Sequence, residues 1–374
     1  MDNNFEFRLV DKEKEFKLLT SWDAPVYNGE SASIGMSEVE WNRRNLKLRE
    51  YCTLSSKPFQ VCVAKSINMP FHEEATVCIT WCVFLGAILY TPIFLVWKLF
   101  TDTTTFYCMT ASIFALQLLL PTQFRPNLCK GYLAKLMLKY FSHRGIWKEH
   151  LPVDRPSIIV APPHGLFPFG SLLAVLSVPR ITGMYLRGLA ADALLRIPIV
   201  GTRLRALGLT SASRDNARKM LRDGWALGVS SGGIAEIFET GGNKNGERVE
   251  TIILKSRGGL AKLALETGAY LVPSYIFGNT LCLKVWHDPW GIMRAISRRL
   301  RVSIVFFTGR FGLPIPYRVP LLGVLGAPIE VPLTPNPSKE QISALLSKLE
   351  SEVQKLFDTH KAAYGWEHVR LVIK

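Results

Sequence analysis

Three turns of this sequence carry residues whose types and spacing suit proton transfer and anion binding. The first lies in SIIVAPPHGLFPFGS (Ser157–Ser171), where His164 and Gly165 follow a short β-branched run. An imidazole titrates near neutrality, so it suits a general base, and a glycine beside it lets a substrate approach the backbone closely. The plainer reading is a turn histidine that only bonds the main chain. The second is VSSGGIAE (Val229–Glu236), where Gly232 and Gly233 precede an acid. Backbone N–H groups of such a turn can meet an oxyanion, with Glu236 aimed at the same place; a tight turn with a solvated glutamate is the alternative. The third is KSRGGLAK (Lys255–Lys262), in which Arg257, Gly258 and Gly259 open a helix that also carries Lys262. A helix start with nearby cations suits phosphate groups, although most basic helix starts are surface.

The elements around these turns have to bring them together. Ile158, Ile159 and Val160 read as a buried strand, and Pro162 and Pro163 end it, because neither can donate to a sheet ladder. His164 is therefore expected just past the carboxyl edge of a strand, where open α/β sheets bind ligands. From residue 126 onward, β-rich runs (Ser157–Ala161, Leu227–Ser230, Tyr270–Phe277, Val302–Phe307) alternate with helical stretches (Ser171–Val178, Asp215–Asp223, Gly259–Thr267). That alternation predicts an α/β fold with a mainly parallel sheet covered by helices on both faces. Near the end, Ser338–Phe357 places Ile342, Leu345, Leu346, Leu349, Val353, Leu356 and Phe357 on one stripe, and Ser338 with Gln341 forms a capping-box signature.

Ahead of this domain stand two uncharged runs, Ala75–Trp97 (23 residues) and Thr103–Phe124, separated by a few residues that include Lys98 and Asp102. At ~1.5 Å per residue the first can cross or deeply enter a ~30 Å hydrocarbon core. With so short a connection the two are expected to form a membrane-embedded hairpin over 73–124, after a cytosolic tail over 1–72 and before a cytosol-facing globular domain over 125–374. Cations flank both outer ends, so both termini are expected on the cytosolic side. The alternative is a buried helical hairpin of a large soluble core.

Composition narrows the classes. Lys and Arg number 45 against 30 Asp and Glu, a net charge of +15, which favours an anionic partner such as nucleic acid, lipid headgroups or a phosphate-bearing co-substrate. The hairpin argues against nucleic acid. Seven cysteines with no C-x-x-C pair give neither a disulfide framework nor a structural zinc site. The histidines show no H-E-x-x-H pattern, so no metal is expected. There is no G-x-S-x-G elbow and no G-K-[ST] loop, which sets aside the usual serine hydrolases and Walker A nucleotide binding.

Taken in order, PPHG (162–165), RIPIVGTRLRALGLTSASR (196–214), SGGIAE (231–236), RGGLAKLALETGAYLVPSYIFGN (257–279), GAPIEVP (326–332) and LFDTHKAAYG (356–365) resemble the diacylglycerol acyltransferase type 2 family. The resemblance implies a glycerolipid-acyltransferase-like fold at the endoplasmic reticulum, with lipid droplets a further site. It implies transfer of an acyl group from acyl-CoA, a co-substrate rather than a cofactor, to a hydroxyl of a neutral lipid, with diacylglycerol the default acceptor. Monoacylglycerol, a long-chain alcohol or a sterol are alternatives, as is a non-catalytic hairpin protein of lipid droplets; homo-oligomerisation stays open.

On this reading His164 is the base and Glu236 orients it. Gly165, Gly232 and Gly233 would supply oxyanion donors, and Arg257, Gly258, Gly259 and Lys262 would bind acyl-CoA. The chain departs from the pattern in three places. Pro162 replaces the first histidine of the usual H-P-H-G. Phe169 stands where more distant relatives carry the aspartate of H-x-x-x-x-D. Asn279 stands where the family often has an acid, and no role is carried over to it.

Overall fold

The computed structural model describes residues 17–20, 67–97, 102–118, 123–147, 155–182, 185–197, 200–239, 243–244, 247–254, 258–286, 288, 290–300 and 305–374. Most of the N-terminal tail and Arg257 lie outside them.

An eight-stranded sheet forms the centre. Its strands are β1 (Lys17–Thr20), β2 (Arg144–Trp147), β3 (Ser157–Val160), β4 (Leu186–Ala190), β5 (Thr210–Ser211), β6 (Ala226–Val229), β9 (Tyr270–Phe277) and β12 (Leu322–Leu325), in the order β1-β2-β12-β9-β3-β6-β4-β5. The run from β9 to β5 is parallel throughout, which bears out the expected mainly parallel sheet. Antiparallel pairing enters where β12 meets β9 and where β1, contributed by the tail, lies along β2. The N-terminal tail thus supplies an edge strand.

A second sheet joins β7 (Asn243–Lys244), β8 (Glu247–Ile252) and the C-terminal β13 (Arg370–Ile373), and a small ribbon pairs β10 (Lys284–Val285) with β11 (Phe307–Thr308). The strand expected at Val302–Phe307 is therefore displaced toward its end, with 301–304 outside the described residues.

Successive side chains of a strand point to opposite faces, and both faces of this sheet are buried. Ile158 and Val160 meet one apolar layer, built from Ala217, Leu221, Ala261, Leu265, Leu349, Val353 and Phe357 on the helices Arg214–Arg222, Gly258–Thr267 and Lys339–His360. Ile159 meets the other, with Val175 and Val178 of the helix Phe169–Thr182. The long C-terminal helix starts as expected: Ser338 accepts from the Gln341 N–H, and the Gln341 side chain accepts from the Ser338 N–H.

The two uncharged runs form the helices Phe71–Trp97 and Thr103–Leu118. Only the first, over Phe71–Ile88, is long and apolar enough to cross a membrane among the described residues. One stripe of it is not available to lipid. Val77, Trp81 and Leu85 are buried with Leu136, Tyr140, Phe141, Phe169 and Leu173, while Phe71 is 88% and Ile79 65% exposed on the other side. Trp81 sets its ring edge-to-face with Phe84, Phe141, Phe167 and Phe169, at centroid distances from 5.1 to 6.2 Å. At the helix start, Glu73 pairs with Lys139, and Glu74 pairs with both Arg310 and Arg318. A helix with no charge from Ala75 onward is thus clamped to the domain by the two charges just before that run.

Candidate active site

Three strand ends deliver residues to one edge of the sheet. After β3, Ala161 continues the pairing by donating to Val229 O at 2.8 Å, and the chain then turns through a cis Pro162–Pro163 bond. Prolines leave that turn without N–H groups of its own, so neighbours hold it: Ile276 N–H donates to Pro162 O at 2.9 Å. After β6, Gly232 and Gly233 lead into the short helix Gly233–Ile237, which carries Glu236. After β9, Gly278 adopts φ +89 and places Asn279 at the head of a 3₁₀ turn.

Glu236 has no exposed surface. Burial of a carboxylate is costly unless hydrogen-bond donors replace water, and here three main-chain groups do so. Its Oε1 accepts from the N–H groups of His164 and Gly165, the latter at 3.2 Å, and its Oε2 accepts from Ile253 N–H at 3.0 Å. Burial pushes its carboxyl up to about 7 with Glu250 adding to the rise, against the pull of the three donors. Gly232 is required for this arrangement, because a Cβ there would lie 1.9 Å from Glu236 Oε2.

His164 Nδ1 lies 2.8 Å from Gly165 O. A carbonyl oxygen only accepts, so Nδ1 carries the proton in this contact and the lone pair of the neutral ring is on Nε2. The left-handed φ of +58 at Gly165 folds its carbonyl back toward the ring. Such an arrangement fixes the ring's tautomer and orientation, with the partner supplied by the turn itself.

The expected residues are thus partly assembled. His164, Gly165, Gly232, Gly233 and Glu236 converge at one edge. Two of their contacts differ in kind from the expectation. Glu236 reaches the main chain of the His164 turn, and the Gly165 N–H, expected to face an oxyanion, donates to Glu236. Gly258 and Gly259 open the helix Gly258–Thr267, and Lys262 turns along it to Glu266 at 3.7 Å. Glu266 also takes Arg218 at 2.8 Å and Arg214 at 3.9 Å, so a basic cluster surrounds one carboxylate. Arg257 lies outside the described residues. No cluster of metal-ligating side chains occurs among the described residues.

Sequence reasoning passed over several groups here. Asn279 touches the His164 turn at four points. Glu250, buried behind it, takes Arg248 Nη2 at 2.7 Å and Thr280 Oγ1 at 3.0 Å. Burial pushes the Glu250 carboxyl up while Arg248 pulls it down. The hydroxyls of Ser230 and Ser231, between β6 and Gly232, are buried without a hydrogen-bond partner among the described residues. Nothing in a linear pattern marks a polar residue as an orphan, since that is a property of its neighbours.

The diacylglycerol acyltransferase family model matches residues 99–374. The chain is 31% identical to the diacylglycerol O-acyltransferase 2-like protein 6 of Mus musculus, across 62% of this chain and 74% of that protein. Over a shorter stretch, 31% of this chain and 37% of the relative, it is 39% identical to the 2-acylglycerol O-acyltransferase 1 of Bos taurus. Among solved structures, the 1-acyl-sn-glycerophosphate acyltransferase PlsC from Thermotoga maritima aligns with 76% of this chain and 97% of its own at 14% identity, with a TM-score of 0.36. A family match over most of the sequence, the site at its centre, places this chain in the diacylglycerol acyltransferase family.

Proposed function

We propose that this chain is an acyl-CoA-dependent O-acyltransferase that esterifies a neutral lipid hydroxyl, with diacylglycerol the first acceptor. The observation that carries this is His164 at the sheet edge, its Nδ1 held by Gly165 O and its Nε2 left with the lone pair, in a chain of this family. His164 Nε2 takes the proton of the acceptor hydroxyl as that oxygen attacks the thioester carbonyl carbon. The tetrahedral oxyanion then collapses, the C–S bond breaks, and the CoA thiolate leaves with the proton returned from the imidazolium. Because the Gly165 N–H is engaged by Glu236, the oxyanion role falls to the turn at Gly232 and Gly233 and to the unpartnered hydroxyls of Ser230 and Ser231. Glu236 acts on His164 through the main chain. Acyl-CoA phosphates are met at the Gly258, Gly259 and Lys262 helix, with Arg257 before it and Arg214 and Arg218 beside it.

An uncharged acceptor is supported by SGGIAE, which carries no cation that could meet a glycerophosphate. The apolar helix Phe71–Trp97 supports residence in a membrane, which we assign to the endoplasmic reticulum with the catalytic edge and both termini in the cytosol. The test presents labelled acyl-CoA to the membrane-embedded protein with diacylglycerol, monoacylglycerol, a long-chain alcohol, a sterol and lysophosphatidic acid in turn. Ester product from diacylglycerol is expected. His164→Ala should lose about 10³-fold or more in kcat while still inserting in membranes. Near-normal transfer by that variant sinks the assignment of the base, and product from lysophosphatidic acid alone sinks the neutral acceptor.

A further inference from the structure

The side chain at position 279 faces a ring of carbonyl oxygens. Its Nδ2 lies 3.2 Å from Pro163 O, 3.0 Å from His164 O and 3.3 Å from Phe167 O, and its Oδ1 accepts from Gly170 N–H at 3.0 Å. An amide offers both donors and an acceptor, so it fits this ring; a carboxylate only accepts and would set a negative charge against three oxygens. At 3% exposure, water does not relieve such a mismatch. Gly165 is shaped to the same group, because a Cβ there would stand 2.9 Å from Asn279 Nδ2. From behind, Thr280 donates to Glu250 and accepts from Arg248 Nη2 at 3.0 Å. The Asn279–Leu281 turn is therefore fixed to β8 on one side and to the His164 turn on the other.

We propose that Asn279 is a positioning residue for acyl transfer: its amide donors hold the carbonyls of Pro163, His164 and Phe167, which keeps Gly165 O on His164 Nδ1 and thereby the ring's lone pair on Nε2. The inference rests on His164 being the base. It assigns the task of orienting the imidazole to a neutral amide acting through the backbone, beside Glu236, which grips the N–H groups of the same turn.

The test uses the full chain in lipid bilayers and compares wild type, His164→Ala, Asn279→Asp and Asn279→Leu. Read out are kcat, the KM for acyl-CoA, and the rate at which an imidazole-modifying reagent labels His164, followed by peptide mass. Asn279→Asp is nearly isosteric and exchanges donors for acceptors. It should lose about 10²-fold in kcat at about pH 8, with the KM for acyl-CoA within about threefold, and labelling of His164 should change severalfold. At about pH 6 its kcat, relative to wild type at the same pH, should partly recover as the new carboxyl protonates and regains one donor. Asn279→Leu should stay low at both.

Groups facing this turn are His164, Glu236 on its short helix, Arg248 and Glu250 on β8, Tyr275 on β9 beside both carboxylates, Cys282 at the end of the turn, and Tyr364 against Gly278. All are shared with wild type, so comparison at equal pH isolates the substituted carboxyl. Wild-type kcat and labelling in Asn279→Asp at both pH values overturns the proposal. If Asn279→Asp does not fold, Asn279→Ser, with one donor and no charge, takes its place: an intermediate kcat is expected, and a wild-type value overturns. Absent transfer in wild type, or normal transfer in His164→Ala, defeats the catalytic reading instead; the labelling of His164 then decides the positioning role, and unchanged labelling rejects it.

Discussion

Glu236 accepts three main-chain hydrogen bonds with no exposed surface, so on the proposed mechanism its charge should couple stability to activity. Its carboxyl rises from 4.5 to about 7 in the fold, so between those values the folded chain holds a proton that the unfolded chain has released. Stability contributed at this site is therefore present at low pH and lost as pH rises through that window. The ionised form is the one able to accept from His164, Gly165 and Ile253 at once, so activity should rise over the window in which stability falls. Glu236→Gln should flatten the pH dependence of Tm between about 4.5 and about 7 and lower kcat by about tenfold, less than His164→Ala. An unchanged Tm–pH profile measured by calorimetry in detergent would remove Glu236 from this role. His164 and Glu236 were legible in the sequence because each follows a recognisable strand in a turn that also carries glycine, Gly165 after the histidine and Gly232 and Gly233 ahead of the acid. Asn279 was not, because its four partners lie at positions 163 to 170, and only the folding of β9 alongside β3 brings them within reach.

Elements were legible where local physics decides them. The Lys339–His360 helix has an apolar stripe, a capping box and no breaker, and it begins where those signals put it. Ser338→Ala should cost about 1 kcal/mol of stability, read as a lower Tm, and leave kcat unchanged, since the cap is far along the chain from the sheet edge. Strands β2 (RGIW) and β12 (LGVL) went unread: each is four residues long with a glycine inside, and their strand character comes from pairing with each other and with β9. The β1 strand is a further case, since a polar tail becomes extended only because an open sheet edge is there to receive it.

At the scale of the whole molecule, hydropathy located the helix Phe71–Trp97 but could not say which side faces protein. An uncharged run looks alike in lipid and in a core, and only the partners Phe141, Phe167 and Phe169 separate the two. Phe167 and Phe169 continue directly from the His164 turn, so the apolar helix and the sheet edge that carries His164 share one packing unit. Trp81→Ala should cost about 3–5 kcal/mol, lowering Tm, and should lower kcat with it, whereas Ile79→Ala on the exposed side should leave both within error.

The charged clamp at Glu73 and Glu74 and the aromatic stripe above it bear on where this protein can be cut. A truncation beginning near residue 99, where the family match starts, would leave Leu136, Phe141, Phe169 and Leu173 with a bare face and Lys139, Arg310 and Arg318 without their acids. The unit that folds should therefore extend back to about Met69, because one side of this helix, Val77, Trp81 and Leu85, belongs to the domain, while Phe71 and Ile79 on the other side stay exposed.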